Sequence, residues 1–314
     1  MTTTLYKALL GSVIGTAILA AALGFNPVSA FAQEEEGIAS FASKEEPLAF
    51  DTPEAAVDAF KKALADNDID RLSRILGLDP AKIRANDDTM NSYEQIREGA
   101  AKLVVVEDEG DRKIVEIGEK LWPLPFPIAK GDDDKWFFDT FTGFEEIINR
   151  RVGENELEAI DTMRAYVDAQ NDYADADHDA DGVNEYAQLL ISSEGQQDGL
   201  YWEGEGSPAG DFVDQAALDK AKAGDGYFGY RYKILKGQGD NVAGGAYDYV
   251  INGNMIAGFG LIAWPVKYAE TGVNTFMVNQ HGIVYEADLG PATEEIVKYI
   301  DRFNPGDNWS IAGD

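Results

Sequence analysis

Cysteine is missing from this 314-residue chain, and histidine occurs only as His178 and His281. The first absence excludes disulfides, thiolate metal sites and cysteine nucleophiles together. The second leaves little for a zinc centre or for imidazole chemistry. Basic residues are scarce as well: 26 Lys and Arg stand against 57 Asp and Glu, a formal net charge of −31. Affinity for nucleic acid rests on cations that neutralise phosphates, so nucleic acid is not an expected partner. An anionic membrane surface is disfavoured by the same sign, whereas cations and basic partners are favoured. Hydrophobic residues at 45% supply enough material for about two domains of ~150 residues.

Long apolar runs are equally rare, with one exception at the start. Residues 8–25 are apolar behind the lone charge of Lys7, Pro27 interrupts, and Ala30-Phe31-Ala32 precedes Gln33. This is the pattern of an export signal over residues 1–32, cleaved between Ala32 and Gln33, which places the mature protein in the periplasm or outside the cell. A retained membrane anchor is the competing reading, since eighteen residues approach a bilayer span. The acidic run Glu34-Glu35-Glu36 favours cleavage. No later segment approaches a transmembrane length.

Residues 33–48 read as a flexible acidic lead-in. Thr52-Pro53-Glu54 then has the chemistry of a helix start, and Val57, Phe60 and Leu64 share one face. A second short helix carries Leu72, Ile75 and Leu76 and ends at Gly77. Leu103–Val106 and Arg112–Ile117 flank Asp108-Glu109-Gly110-Asp111 as a hairpin, and Trp136-Phe137-Phe138 is a further strand. Residues 49–150 are therefore expected to form an α+β unit of paired helices and a curved antiparallel sheet, similar to the NTF2/cystatin-like group.

Residues 151–314 are expected to open with a long helix, because Asn155 and Glu158 have capping-box spacing before Ile160, Met163 and Val167. Apolar runs at 229–235, 255–263, 275–278 and 283–286 follow as an antiparallel meander, with Asn279-Gln280-His281-Gly282 as a turn. A closing helix from Pro291 is predicted to put Ile296, Ile300 and Phe303 on one face. The fold class is α+β throughout.

The runs Lys135 to Ile160, Ala165 to Ala174, Asp198 to Trp202, Gly244 to Pro265 and Thr271 to Gly290 together resemble the exported bacterial family called domain of unknown function 2950. That resemblance implies export but no assigned activity. In the family a His commonly precedes the glycine of a Tyr-x-Gly-Tyr segment, where this chain has Phe228. Were that His a general base, this member would lack it. The second half is also similar to the globular heads of type IV pilin-like proteins. The likeness rests on Ala169-Gln170-Asn171-Asp172-Tyr173, an Asp/Gly loop, and the turn from Asn279 to Gly282.

Chemistry concentrates in one place. Asp177, Asp179, Asp181 and Gly182 match positions 1, 3, 5 and 6 of a calcium loop, where alternating oxygens converge on a hard cation. Glu185 falls at position 9, and Gln188 stands where a bidentate Glu is expected at position 12. Between Arg164 and Lys220 the chain carries fourteen acids and no Lys or Arg. A solvated acidic turn is the competing reading. Ser207-Pro208 lacks the turn of a nucleophile elbow, and no G-x-G-x-x-G fingerprint is found. Trp122, Trp136, Trp202 and Trp264 are candidates to line a groove. The expected function is a non-catalytic interaction or scaffold protein of the cell envelope, stabilised by calcium, whose partner is an envelope protein or polymer. The alternatives are an envelope hydrolase using carboxylates in an inter-domain cleft and a carbohydrate- or peptide-binding module.

Overall fold

Asp and Asn side chains start most of the helices. The computed structural model describes residues 37–313, so the export signal and its cleavage point at Ala32–Gln33 lie outside the described residues. Thr52 caps helix α1 (Pro53–Ala65), accepting from the Ala55 amide at 3.2 Å, with proline in the first turn where its missing N–H costs nothing. Asp68 caps α2 (Ile69–Leu76), Asp79 caps α3 (Pro80–Ala85) and Asn86 caps α4 (Asp87–Lys102). A hairpin of β1 (Val104–Glu109) and β2 (Arg112–Ile117) follows, then β3 (Trp122–Pro123), β4 (Ile128–Lys130) and β5 (Trp136–Phe138). The antiparallel sheet runs β1-β2-β4-β5, with β3 also paired to β2. Phe60, Leu64, Ile75, Val115, Ile128 and Phe138 form the core beneath it.

One expectation for this region changes, and one helix is new. The stretch read as a flexible lead-in is anchored from Ile38 on. Ile38, Phe41, Ala42 and Leu48 pack against the core, and the Leu48 amide donates to Arg74 O at 3.1 Å. Helix α4 carries no apolar period strong enough to reveal it, since Tyr93 is its one fully buried residue.

Helix α5 (Thr140–Tyr173) is 34 residues long, and the expected boundary at residues 150/151 falls inside it. It opens at the Asp139 cap and not at Asn155. Asn155 and Glu156 instead reach across to the second sheet. The Asn155 amide donates to Thr271 O at 2.9 Å, and Glu156 Oε1 accepts from the Val273 and Asn274 amides at 2.8 and 2.9 Å. Asn155, which has the spacing of a helix start, is an interior tether.

Beyond α5 come α6 (Gln215–Ala223), β6 (Tyr230–Leu235), β7 (Gly237–Gln238), β8 (Tyr247–Asp248), β9 (Val250–Ile251), β10 (Asn254–Met255), β11 (Gly260–Pro265), β12 (Asn274–Asn279), β13 (Tyr285–Asp288), α7 (Thr293–Val297) and β14 (Ser310–Ile311). The main sheet is antiparallel in the order β14-β13-β12-β11-β6. One face buries Tyr230, Leu261, Ala263, Phe276 and Val278 against Ile160, Met163 and Tyr166 of α5. The other buries Ile262 and Met277 against Val297 and Phe303. This is an α+β fold: helices and a sheet, then the long helix packed on an antiparallel meander. The closing helix is shorter than predicted. It stops at Val297 because the chain pairs with β7, Phe303 N donating to Gly237 O and accepting Gly239 N at its carbonyl.

Two variants test this packing. Gly77 ends α2 in the left-handed region at φ 68°, and a Cβ there would land on Thr140 Oγ1, which donates to Leu76 O at 2.8 Å. Gly77→Ala is expected to cost at least ~2 kcal/mol in urea unfolding, combining the left-handed penalty with that clash. An unchanged midpoint would show that the two helices are not locked at this point. Glu286 faces α5 from β13, and its carboxyl pKa is raised, first by burial and then by the charge of Glu156. A pKa raised in the folded state means that stability falls as pH climbs from the unfolded value through the folded one. Glu286→Gln should therefore stabilise the protein at neutral pH and make no difference at about pH 3. Equal effects at both pH values would refute the assignment.

Candidate metal centre

The acidic loop begins where α5 ends. Ala174 closes the helix, whose last turn holds no basic residue, so the negative end of its dipole meets the aspartates uncompensated. Asp177, Asp179 and Asp181 each offer a carboxylate oxygen, and these oxygens lie within 4.8 Å of one another. Oxygens bound to one calcium ion at 2.3–2.6 Å sit no more than about 5 Å apart, so the spacing suits a single shell. All three residues are exposed.

Backbone amides aim the carboxylates. Asp177 accepts from Ala180 N at 2.8 Å and from Gly182 N at 2.9 Å. Asp179 Oδ1 accepts from Asp181 N at 3.2 Å, and Asp181 Oδ1 from Val183 N at 2.8 Å. The turn requires positive φ at Ala180 (62°) and Gly182 (91°). The Gly182 amide, followed by that of Ala180, holds the Asp177 carboxyl below the usual aspartate value. The turn thus favours the ionised form of Asp177.

The later positions behave differently. Glu185 stands apart from the three aspartates: its Oε2 accepts from the Met255 amide of β10 at 2.8 Å. Gln188 donates to Gly253 O at 2.6 Å and accepts from Lys236 Nζ at 3.0 Å. Asn254 Nδ2 donates to Asp181 Oδ2 at 2.7 Å. These bonds stitch the loop to the β9–β10 hairpin, about seventy residues away. Spacing alone could not reveal them, because the partners are supplied by the tertiary fold.

The remaining candidates serve packing. His178 stacks on Tyr173 at 4.0 Å between centroids, bonds Tyr173 O through Nε2 at 3.0 Å, and meets the edge of Trp202. His281 is exposed in the β12–β13 connection. Ser207 Oγ accepts from Trp202 N and donates to Leu200 O, holding its own loop. The four tryptophans do not share a groove. Trp136 borders the first core, Trp122 lies under Arg150 at 5.3 Å, Trp202 borders the second core, and Trp264 Nε1 donates to Glu294 on the opposite sheet face. Glu156, whose charge helps raise the Glu286 carboxyl pKa, is itself committed to the amides of β12.

No curated protein and no solved structure matches the chain. Residues 48–312 match the family described as protein of unknown function (DUF2950). That span takes in the first core, the long helix, the aspartate loop and the meander, so the motifs that carry the resemblance and the elements that carry the fold coincide. The chain belongs to the DUF2950 family.

Proposed function

We propose that this protein is an exported, non-catalytic interaction or scaffold protein of the cell envelope, whose second half is stabilised by calcium at Asp177, Asp179 and Asp181. The observation that carries this reading is the convergence of three aspartate side chains at the unneutralised end of α5. A divalent ion there cancels mutual carboxylate repulsion and complements the helix dipole in one step. It also clamps α5 to the β9–β10 hairpin through Asp181 and Asn254. Interaction is favoured over catalysis because His178 and Ser207 are spent on local structure. Export is supported by the pattern of residues 1–32. No described helix is long and apolar enough to cross a membrane.

Without a carboxylate at position 12, the site should bind calcium with a dissociation constant on the order of 0.1–1 mM. At ten times that constant the folded state gains about 1.4 kcal/mol, from RT ln(1 + [L]/Kd). Thermal melting in EDTA and in several millimolar calcium, with magnesium as control, measures it. Asp179→Asn should shrink the calcium-specific shift, since Asp179 makes fewer loop bonds than Asp177 and its loss leaves the turn intact. Identical melting of the wild type in both conditions would leave a solvated acidic turn. Export carries its own test: intact mass of the secreted protein should correspond to a chain starting at Gln33. A mass retaining Met1 would identify an anchor.

A further inference from the structure

The edge of the first sheet offers a second surface, independent of the aspartate loop. β1 has one neighbour, β2, with six consecutive register pairs from Val104↔Ile117 to Glu109↔Arg112. No bulge, proline or glycine interrupts it, although these are the usual protections of a free edge. The exposed groups can be assigned. Leu103 O accepts from Gly118 N at 2.9 Å, and hydrogen-bonded residues alternate along an antiparallel pair. Val105, Glu107 and Glu109 therefore direct their backbone towards β2, while Val104, Val106 and Asp108 present theirs outward. On the core side Val104 and Val106 lie opposite buried Ile117 and Val115, yet Val106 is 43% exposed. On the outer side lie Val105 (36% exposed), Glu107 and Glu109. Asp108 is paired to Lys113 at 2.6 Å, whereas Glu107 and Glu109 have no ion pair among the described residues.

We propose that the β1 edge takes up an extended, basic segment of a partner polypeptide as an added antiparallel strand. Three free backbone positions supply the hydrogen bonds, and side-chain alternation supplies the selectivity. Read against Glu109 back to Val104, the complementary strand is basic, any residue, basic, apolar, apolar, apolar. A second copy of this chain fits less well: the register centred on Val105 pairs valines over only three residues and sets Glu107 against Leu103 beyond them. Self-pairing centred on Val106 sets Val104 against Asp108 and Val105 against Glu107, and centring on Glu107 opposes two glutamates. Each copy also carries a formal charge of −31. The acids thus reject self-association and select cations at the same edge.

This surface gives the interaction reading a partner chemistry, and it does not involve calcium. The probe is a fluorescent peptide containing Lys-Thr-Lys-Val-Tyr-Val, with Glu replacing both Lys as control, titrated into the full chain in EDTA and again in calcium. The Lys peptide is expected to bind at least tenfold more tightly than the Glu peptide, equally in both buffers, so the calcium reading stands or falls on melting alone. Val106→Pro removes an outward N–H without touching the β2 ladder, and should weaken binding at least tenfold with an unchanged melting temperature. Glu107→Lys with Glu109→Lys should reverse the preference between peptides and guards against a folding failure of the proline variant. Absence of saturable binding up to ~1 mM would overturn the proposal. So would equal binding by Val106→Pro at retained fold, or a concentration-dependent dimer that this substitution abolishes.

Discussion

One rigid rod has to satisfy two hydrophobic cores. Helix α5 is about 51 Å long at 1.5 Å per residue. Its first turns give Phe144 and Ile147 to the first core, and its last four turns give Ala159, Ile160, Met163, Tyr166, Ala169 and Tyr173 to the second. An uninterrupted helix cannot adjust one contact without moving the other, so both ends must be located by something firmer than apolar contact. At the start, Gly143 lets the backbone meet the Phe126 ring, where any Cβ would collide, and Thr140 donates to the last carbonyl of α2, that of Leu76. In the middle, Asn155 and Glu156 hold the entry to β12. Glycine at that approach and amides at the tether are both demanded by the rod.

The far end of the same helix sets the electrostatic problem. Every peptide dipole points its negative end towards Tyr173, and the next eight residues add Asp175, Asp177, Asp179 and Asp181. With no basic side chain in the last turn, relief comes from amides within the loop and from Asn254 on the hairpin. Such amides orient carboxylates without cancelling their charge. The energetic role left open is that of a cation, and its effect would propagate along α5 to both cores.

Much of this was legible in the sequence where local chemistry decides. Thr52-Pro53, the Gly77 stop and the Gly110 hairpin each follow from backbone rules within a few residues, and the structure places them so. The aspartate spacing is of the same kind, and the three carboxylates do converge. What local chemistry cannot supply is a partner far away. Asn155 has the spacing of a cap, yet its acceptor, Thr271 O, lies 116 residues on, and Glu185 has the spacing of a loop ligand, while its donor, Met255 N, lies 70 residues on. Helix α4 stayed hidden for another reason: a helix that buries one residue fully leaves no apolar stripe to count.

Charge links the two surfaces of the molecule. A chain at −31 resists compaction and self-association alike, and it tolerates this where its acids are either solvated or given a task. Beyond α5 three aspartates share one loop, and the proposed calcium site rests on that crowding. At the β1 edge Glu107 and Glu109 follow three valines, and the proposed strand uptake rests on that sequence. On these two proposals the same sign of charge acts inwardly at the loop, as a demand for a counterion, and outwardly at the sheet edge, as a filter on partners. Both follow from placing acids next to groups that need completing: an unneutralised helix terminus and an unpaired row of backbone hydrogen-bonding groups.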